Sequence, residues 1–316
     1  MVGNNLTNNK PLVSVIMNCL DGEKYLREAI DSVLAQTYPN WELIIWDNQS
    51  SDNTAVIAKT YTDKRVKYYR ADKFTSLGEA RNLAIDKSVG EIIGFLDCDD
   101  LWFPRKLEKQ IPLFNNPEVG IVICNTLFFN EKGTQKQLYK KKNPPIGRVF
   151  KSLLSEYFVS LETVVIRMKA LKSLDYWFDS RFEAIEEYDL FVRLGYYWEL
   201  AYVDDILAKW RVHSSSGTWT RSELFPMEKK IMLKTLSKNI PNFTEKYSTE
   251  INKVEQSIAF EKTQISWQNG NKRKAREYIK PHINGSIKYL LFYLLTFFPF
   301  GFYKLLQYLR GAVHPA

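Results

Sequence analysis

The chain has 316 residues, enough for one large domain or two ordinary ones, and its 45% apolar and 25% charged residues exclude a disordered tail or a collagen-like rod. Forty-four lysines and arginines against 36 aspartates and glutamates leave a net charge of +8, which suits an anionic partner without choosing among nucleotide, membrane surface and nucleic acid. Three cysteines without a CxxC pair exclude a disulfide scaffold, and three scattered histidines exclude a structural zinc site, so any metal must be held mainly by oxygen.

In chain order, the polar opening MVGNNLTNNKP lacks the apolar stretch of a secretory signal, so the protein is expected to remain inside the cell. From Leu12 short apolar runs alternate with amphipathic stretches, the pattern of an α/β fold with a mostly parallel sheet. LVSVIM (12–17), WELIIW (41–46), VKYYR (66–70), EIIGFL (91–96) and VGIVIC (119–124) read as strands. EKYLREAIDSVLAQ, a stretch from near Thr54, LGEARNLAIDKS and PRKLEKQIPLF read as the intervening helices, the last with Pro104 in its first turn. The Lys-rich stretch of residues 130–149 reads as an exposed excursion. TVVIR (163–167) follows as a strand, then EAIEEYDLFVRL opening a helix, a pair of strands near Leu200 and Ile206, and a basic helical region from Arg221 to about Lys280. YLLFYLLTFFPFGFY (289–303) is uncharged and flanked by Lys288, Lys304 and Arg310. It is shorter than the ~20 apolar residues of a spanning helix and is interrupted by Pro299 and Gly301, so it is expected to lie in the membrane interface. The alternative is a terminal helix packed on its own domain or on a second subunit.

Four constellations carry chemistry. Asp97, Cys98, Asp99 and Asp100 follow an apolar strand, so Asp97 and Asp99 project to one side at the carboxyl edge of the sheet, a place for Mg²⁺ or Mn²⁺ or else a solvated turn. Asp47, Asn48, Gln49, Ser50, Ser51 and Asp52 follow another strand, where short polar side chains read a nucleobase or cap the next helix. Glu183, Glu186, Glu187 and Asp189 crowd a helix start, which the helix dipole favours, while their mutual repulsion raises at least one pKa toward that of a general base. Arg211 and His213 lie two apart on a strand, placed to grip phosphate oxygens or else to sit on the surface. No GxGxxG and no GxxxxGK[ST] occur, which excludes the usual dinucleotide and P-loop sites.

Together these segments resemble the family 2 glycosyltransferases, inverting nucleotide-sugar enzymes of GT-A fold. VSVIMNCLDGEKYLREAIDSVLAQTY, IIWDNQSSDNT, LGEARNLAI, FLDCDD, EEYDLFVRL and WRVHSSS carry the resemblance, which runs from about Pro11 to Gly217. It implies a mixed sheet flanked by helices over residues 1–220; beyond it the basic helical region stands as an extension at 221–285 and the apolar run as an interface segment at 286–316. It implies a nucleotide, most readily UDP, near Asn18, Cys19, Leu20, Asp47, Asn48, Arg81, Asp97 and Cys98. Mn²⁺ or Mg²⁺ would be held by Asp99, with Asp97 and His213, and Glu187 would be the base, with Glu186 and Asp189 as substitutes. Asn48 stands where the family has a second acidic residue, Leu20 where it often has an aromatic one, and Glu187 where it most often has Asp. The implied reaction moves a sugar to a hydroxyl of a saccharide acceptor, lipid-linked and met at the cytoplasmic face of the membrane, in surface polysaccharide assembly. The rivals are a polyprenyl-phosphate glycosyltransferase and a non-catalytic membrane-associated adaptor; the scattered basic residues, beyond the run Lys140 to Lys142, speak against nucleic acid.

Overall fold

The computed structural model describes residues 10–214 and 220–309. Ser215, Ser216 and Gly217 of the closing segment, and Arg310 of the C-terminal flank, lie outside the described residues.

Four strands, β1 (Val13–Cys19), β2 (Trp41–Asp47), β3 (Val66–Arg70) and β4 (Ile92–Phe95), run parallel in the order β3-β2-β1-β4. Helices α1 (Leu26–Leu34), α2 (Thr54–Ala58) and α3 (Leu77–Ile85) connect them. Every residue of β1 and β2 is buried, and successive side chains feed opposite faces of the sheet. Ile16, Ile44 and Trp46 enter one hydrophobic cluster, whereas Val15, Met17, Leu43 and Ile45 enter the other. The apolar runs are continuous because both faces are covered.

Beyond β4 the sheet becomes mixed. β8 (Val165–Arg167) pairs antiparallel with β4, β6 (Val119–Phe129) pairs antiparallel with β8, and β9 (Glu199–Arg211) runs parallel to β6. The carboxyl ends of β1, β2, β4, β6 and β9 therefore share one edge. The order reverses between β1 and β4, the position where open α/β sheets bind ligands.

Several expectations change here. The expected strand pair near Leu200 and Ile206 is one strand: Val203 sits opposite Cys124 and Ile206 opposite Asn125, so Asp204 and Asp205 form a bulge that interrupts the apolar pattern but not the strand. The two-residue β5 (Leu101–Trp102), not expected, pairs with β9. The helix expected over residues 104–114 is α-helical only at α4 (Lys106–Gln110) and tightens to a 3₁₀ turn over Ile111–Asn115, since Pro112 supplies no N–H. The excursion at residues 130–149 is partly ordered: β7 (Gln135–Gln137) pairs with the end of β6, and Val149 is buried.

After α5 (Phe150–Ser155), α6 (Met168–Leu171) and α7 (Glu186–Tyr197), the chain continues into α8 (Phe225–Asn239), α9 (Phe243–Lys246), α10 (Ser248–Gln268) and α11 (Lys272–Ile279). Met232, Leu233 and Leu236 of α8 join the hydrophobic cluster that includes α7 and one face of the sheet. The last helices, α12 (Ile287–Leu295) and α13 (Phe300–Leu309), fold back on α10. Phe292 stacks on Phe260 at 4.2 Å, and Trp267 meets Phe300 and Tyr303. Their other side leaves Ile287, Leu291, Leu294, Phe297, Phe298, Phe302 and Leu305 exposed. Among the described residues no helix is long and apolar enough to cross a membrane.

Candidate active site

At the end of β4 the backbone turns through Asp97, Cys98, Asp99 and Asp100, and the three carboxylates take three environments. Asp100 is 2% exposed and accepts the Arg211 backbone N–H at 2.7 Å, tying this turn to the end of β9. Burial and the charge of Asp99 push its carboxyl well above the usual range, so it is a structural clasp. Asp99 remains partly exposed, with Oδ2 2.7 Å from His213 Nε2. Arg211 fixes this pair from behind: its Nε donates to the Asp99 carbonyl, its Nη2 donates to Glu28, and its guanidinium lies over the Tyr25 ring.

Asp97 turns the other way, toward Arg81 of α3. The guanidinium is 2% exposed and donates from Nη1 to Glu186 Oε1 at 2.6 Å and from Nη2 to Asp97 Oδ1 at 3.2 Å. Burial opposes its charge, yet Asp97, Glu186 and Glu187 outweigh that and hold the group above its ordinary pKa. Burial pushes the Asp97 carboxyl up, Arg81 pulls it down, and Asp99 and Glu186 add to the rise. Arg81 thus joins the two acidic motifs, while the Asp97 side chain, 38% exposed, still faces the cleft.

The acidic helix start is sorted in the same way. Adjacent helical residues point ~100° apart, so Glu186 and Glu187 cannot share a partner easily. Glu186 takes Arg81. Glu187 is pushed up to about 8 by burial and then by the charge of Glu186. Asp189 corrects the expectation: it is fully buried on another side of α7, accepting from Arg193 Nε at 2.8 Å, and Arg193 is anchored in turn to the Tyr176 and Trp177 carbonyls. It stabilises the helix and stands outside the cleft chemistry. Glu186, occupied by Arg81, is likewise no substitute base. Beside Glu187 lies Tyr157, whose hydroxyl burial and the Glu187 charge push up.

Sequence reasoning missed Glu228 of α8. It is 1% exposed, and its carboxylate accepts the backbone N–H groups of Glu183, Ala184 and Ile185 at 2.9 to 3.0 Å, fixing the turn that leads into α7 just ahead of Glu187. Its only local signal is a glutamate near a Pro-started helix, indistinguishable from a solvated one.

At the ends of β1 and β2 the expected nucleotide residues are nearly all buried. Asp47 accepts from the Ser50 N–H and the Tyr68 hydroxyl, one with each carboxylate oxygen. Asn48 binds Thr75 through both ends of its amide. Cys19 accepts the Asn48 N–H at its carbonyl, and Cys98 packs against it. Leu20 is exposed, and Asn18 is 8% exposed with its Nδ2 donor lacking a partner among the described residues.

Three cavities meet at this edge. One of about 470 Å³, between the β1 turn and His213, shares Asp99 with a second of about 310 Å³ that contains Asp97, Arg81, Glu162, Glu186 and Glu187. A third of about 610 Å³ shares Tyr157, Ala184 and Glu187 with the second and opens toward α10 and α12. Among the described residues no three His, Cys, Asp or Glu side chains converge as a metal cluster. Asp99 and His213 nevertheless form an oxygen–nitrogen pair that suits Mn²⁺ or Mg²⁺ with most positions left to a ligand.

Comparison with known proteins agrees with this arrangement. The family description "Glycosyl transferase family 2" matches residues 14–175, just over half of the chain. An uncharacterised glycosyltransferase of Methanocaldococcus jannaschii is 28% identical over 240 residues, 74% of this chain and 82% of its own. The Escherichia coli UDP-Glc:alpha-D-GlcNAc-diphosphoundecaprenol beta-1,3-glucosyltransferase WfgD is 37% identical over 145 residues, 43% of this chain and 57% of its own. Among solved structures, the mannosyltransferase PcManGT from Pyrobaculum calidifontis, in complex with GDP-Man and Mn²⁺, superposes with a TM-score of 0.62 at 16% identity, covering 96% of this chain and 86% of that one. With its mixed sheet, its acidic turn after β4 and its carboxylate-led α7, this chain is a glycosyltransferase of family 2 with the GT-A fold.

Proposed function

We propose that the protein transfers a sugar from a UDP-sugar to a hydroxyl of a lipid-linked saccharide, with inversion, at the cytoplasmic surface of a membrane. The observation that carries this reading is that the cleft holding Glu187, its carboxyl raised to about 8, also reaches Asp99, whose Oδ2 lies 2.7 Å from His213 in the adjoining cavity. The donor's diphosphate is assigned to Asp99 and His213, and its nucleoside to the ends of β1 and β2, where the partnerless Asn18 amide supplies a donor. The acceptor is assigned to the Glu187 side. The UDP donor and the diphospho-lipid acceptor in the printed name of WfgD support both halves.

In this reading Glu187 accepts the proton of the acceptor hydroxyl as its oxygen bonds to the anomeric carbon. The bond from that carbon to the diphosphate breaks with its electron pair leaving on UDP. Attack opposite the leaving group inverts the anomeric centre. Asp99 and His213 would hold Mn²⁺ or Mg²⁺, which when bound would supply positive charge to the leaving diphosphate. Arg81 holds Asp97 and Glu186 fixed, so the chemistry meets a preorganised wall. A thermal-shift titration tests the donor half: UDP with Mn²⁺ is expected to raise the melting temperature more than UDP with EDTA, and equal curves would sink the metal-assisted donor site.

Membrane attachment is assigned to the exposed side of α12 and α13, whose apolar side chains adjoin Lys288 and Lys304. The reading needs only that face, because the opposite one is already packed on Trp267. A variant carrying Leu291→Glu, Phe298→Glu and Leu305→Glu is expected to lose at least about tenfold in co-sedimentation with phosphatidylglycerol vesicles, each buried apolar side chain contributing ~1 kcal/mol or more. Unchanged pelleting would refute the assignment.

A further inference from the structure

The largest of the three cavities has no role in donor binding, yet it begins at the catalytic carboxylate. Its inner end is Tyr157, Ala184 and Glu187, the residues it shares with the sugar-transfer cleft. Its outer wall is built from α8, α10 and α12 and carries Lys229, Lys253 and Lys288. Lys229 is committed to Glu261 and to the Ser257 hydroxyl, so it neutralises the wall rather than the occupant. Lys253 and Lys288 are exposed, and neither joins an ion pair among the described residues. Lys288 rests over the Phe260 and Tyr289 rings, which hold its ammonium at the mouth. One residue before it and then along the same helix face come Ile287, Leu291 and Leu294, all exposed.

Read outward from Glu187, the chain offers a proton acceptor, then a pocket of about 610 Å³, then two ammonium groups, then an exposed apolar surface. That sequence matches an amphiphile whose sugar hydroxyl, anionic linkage and hydrocarbon follow in the same order. We infer that this cavity is the acceptor channel and that Lys253 and Lys288 bind the diphosphate joining the acceptor saccharide to its lipid. Strongly hydrated ammonium groups on flexible stems suit phosphate oxygens as point charges. The inference rests on Glu187 being the base, since only then does this side of the carboxylate face the acceptor.

Geranyl diphosphate serves as the probe, titrated calorimetrically into the full chain already saturated with UDP and Mn²⁺. The wild-type chain is expected to bind it, the Lys253→Glu, Lys288→Glu double variant to bind at least about tenfold more weakly, and the Lys253→Arg, Lys288→Arg pair to retain binding. Absence of binding to the wild type, equal binding by the charge-reversed variant, or equal affinity for inorganic pyrophosphate would each overturn the proposal. UDP affinity is read in the same samples. If UDP binds and geranyl diphosphate does not, the acceptor channel alone falls; if UDP fails to bind the wild type, the donor reading beneath it falls instead.

Discussion

Glu187→Gln is expected to lower sugar transfer by about 10²- to 10⁴-fold, the usual contribution of a positioned general base, while UDP affinity stays within about twofold. The amide keeps the shape of the side chain and removes its ability to take a proton. Because the carboxyl of the free protein is pushed up to about 8, kcat/KM of the unmodified enzyme should fall about tenfold per pH unit below 8 and level off above it. The same shift has a sign for stability. Between the ordinary value of 4.5 and about 8, the unfolded chain has released this proton and the folded chain has not, so the folded state loses stability as pH rises through that window. Gln carries no such penalty. The variant should therefore melt at a higher temperature than the parent, with a gap that widens from about pH 5 to pH 8 and levels off above it. An active variant, or one with an unaltered pH profile, would remove Glu187 from the mechanism.

Asp99→Ala is expected to cost roughly 10³-fold in kcat and to abolish the gain in UDP affinity that Mn²⁺ confers, measured by calorimetry with and without EDTA. Asp100→Ala should behave differently. Its carboxylate holds the Arg211 backbone, so its loss should appear first as a lower melting temperature. If Asp99→Ala retained a Mn²⁺-dependent rise in UDP affinity, the cation would have to sit elsewhere.

The three inner parallel strands β1, β2 and β4 were legible because each is a mostly apolar run of four to seven residues, and burial on both faces leaves no alternation to confuse it, whereas the half-buried edge strand β3 was marked only by its β-branched and aromatic residues. Placing the acidic turn at the end of β4 followed from the same pattern. The roles within the acidic clusters were harder to see. Asp189 and Arg193 stand four apart on one helix, so their pairing was in the sequence to be found. The pairing of Arg81 with Glu186 was not, since 105 residues separate them and only the packing of α3 beside α7 brings them together. Local sequence likewise presents Asp204 and Asp205 as a break, whereas the ladder with β6 absorbs them as a bulge.

Glu228 carries a consequence for the ancestry and engineering of such enzymes. A residue of the C-terminal helices supplies the carboxylate that gathers the turn leading into α7, the helix of the proposed base Glu187, so the two portions of the chain interlock beside that cleft. Chimaeras that splice a foreign tail after residue 220 would inherit α7 with three bare amides at its head. The sheet portion and the C-terminal helices must then be exchanged as one cassette, or the graft must bring an acidic side chain of its own to that spot.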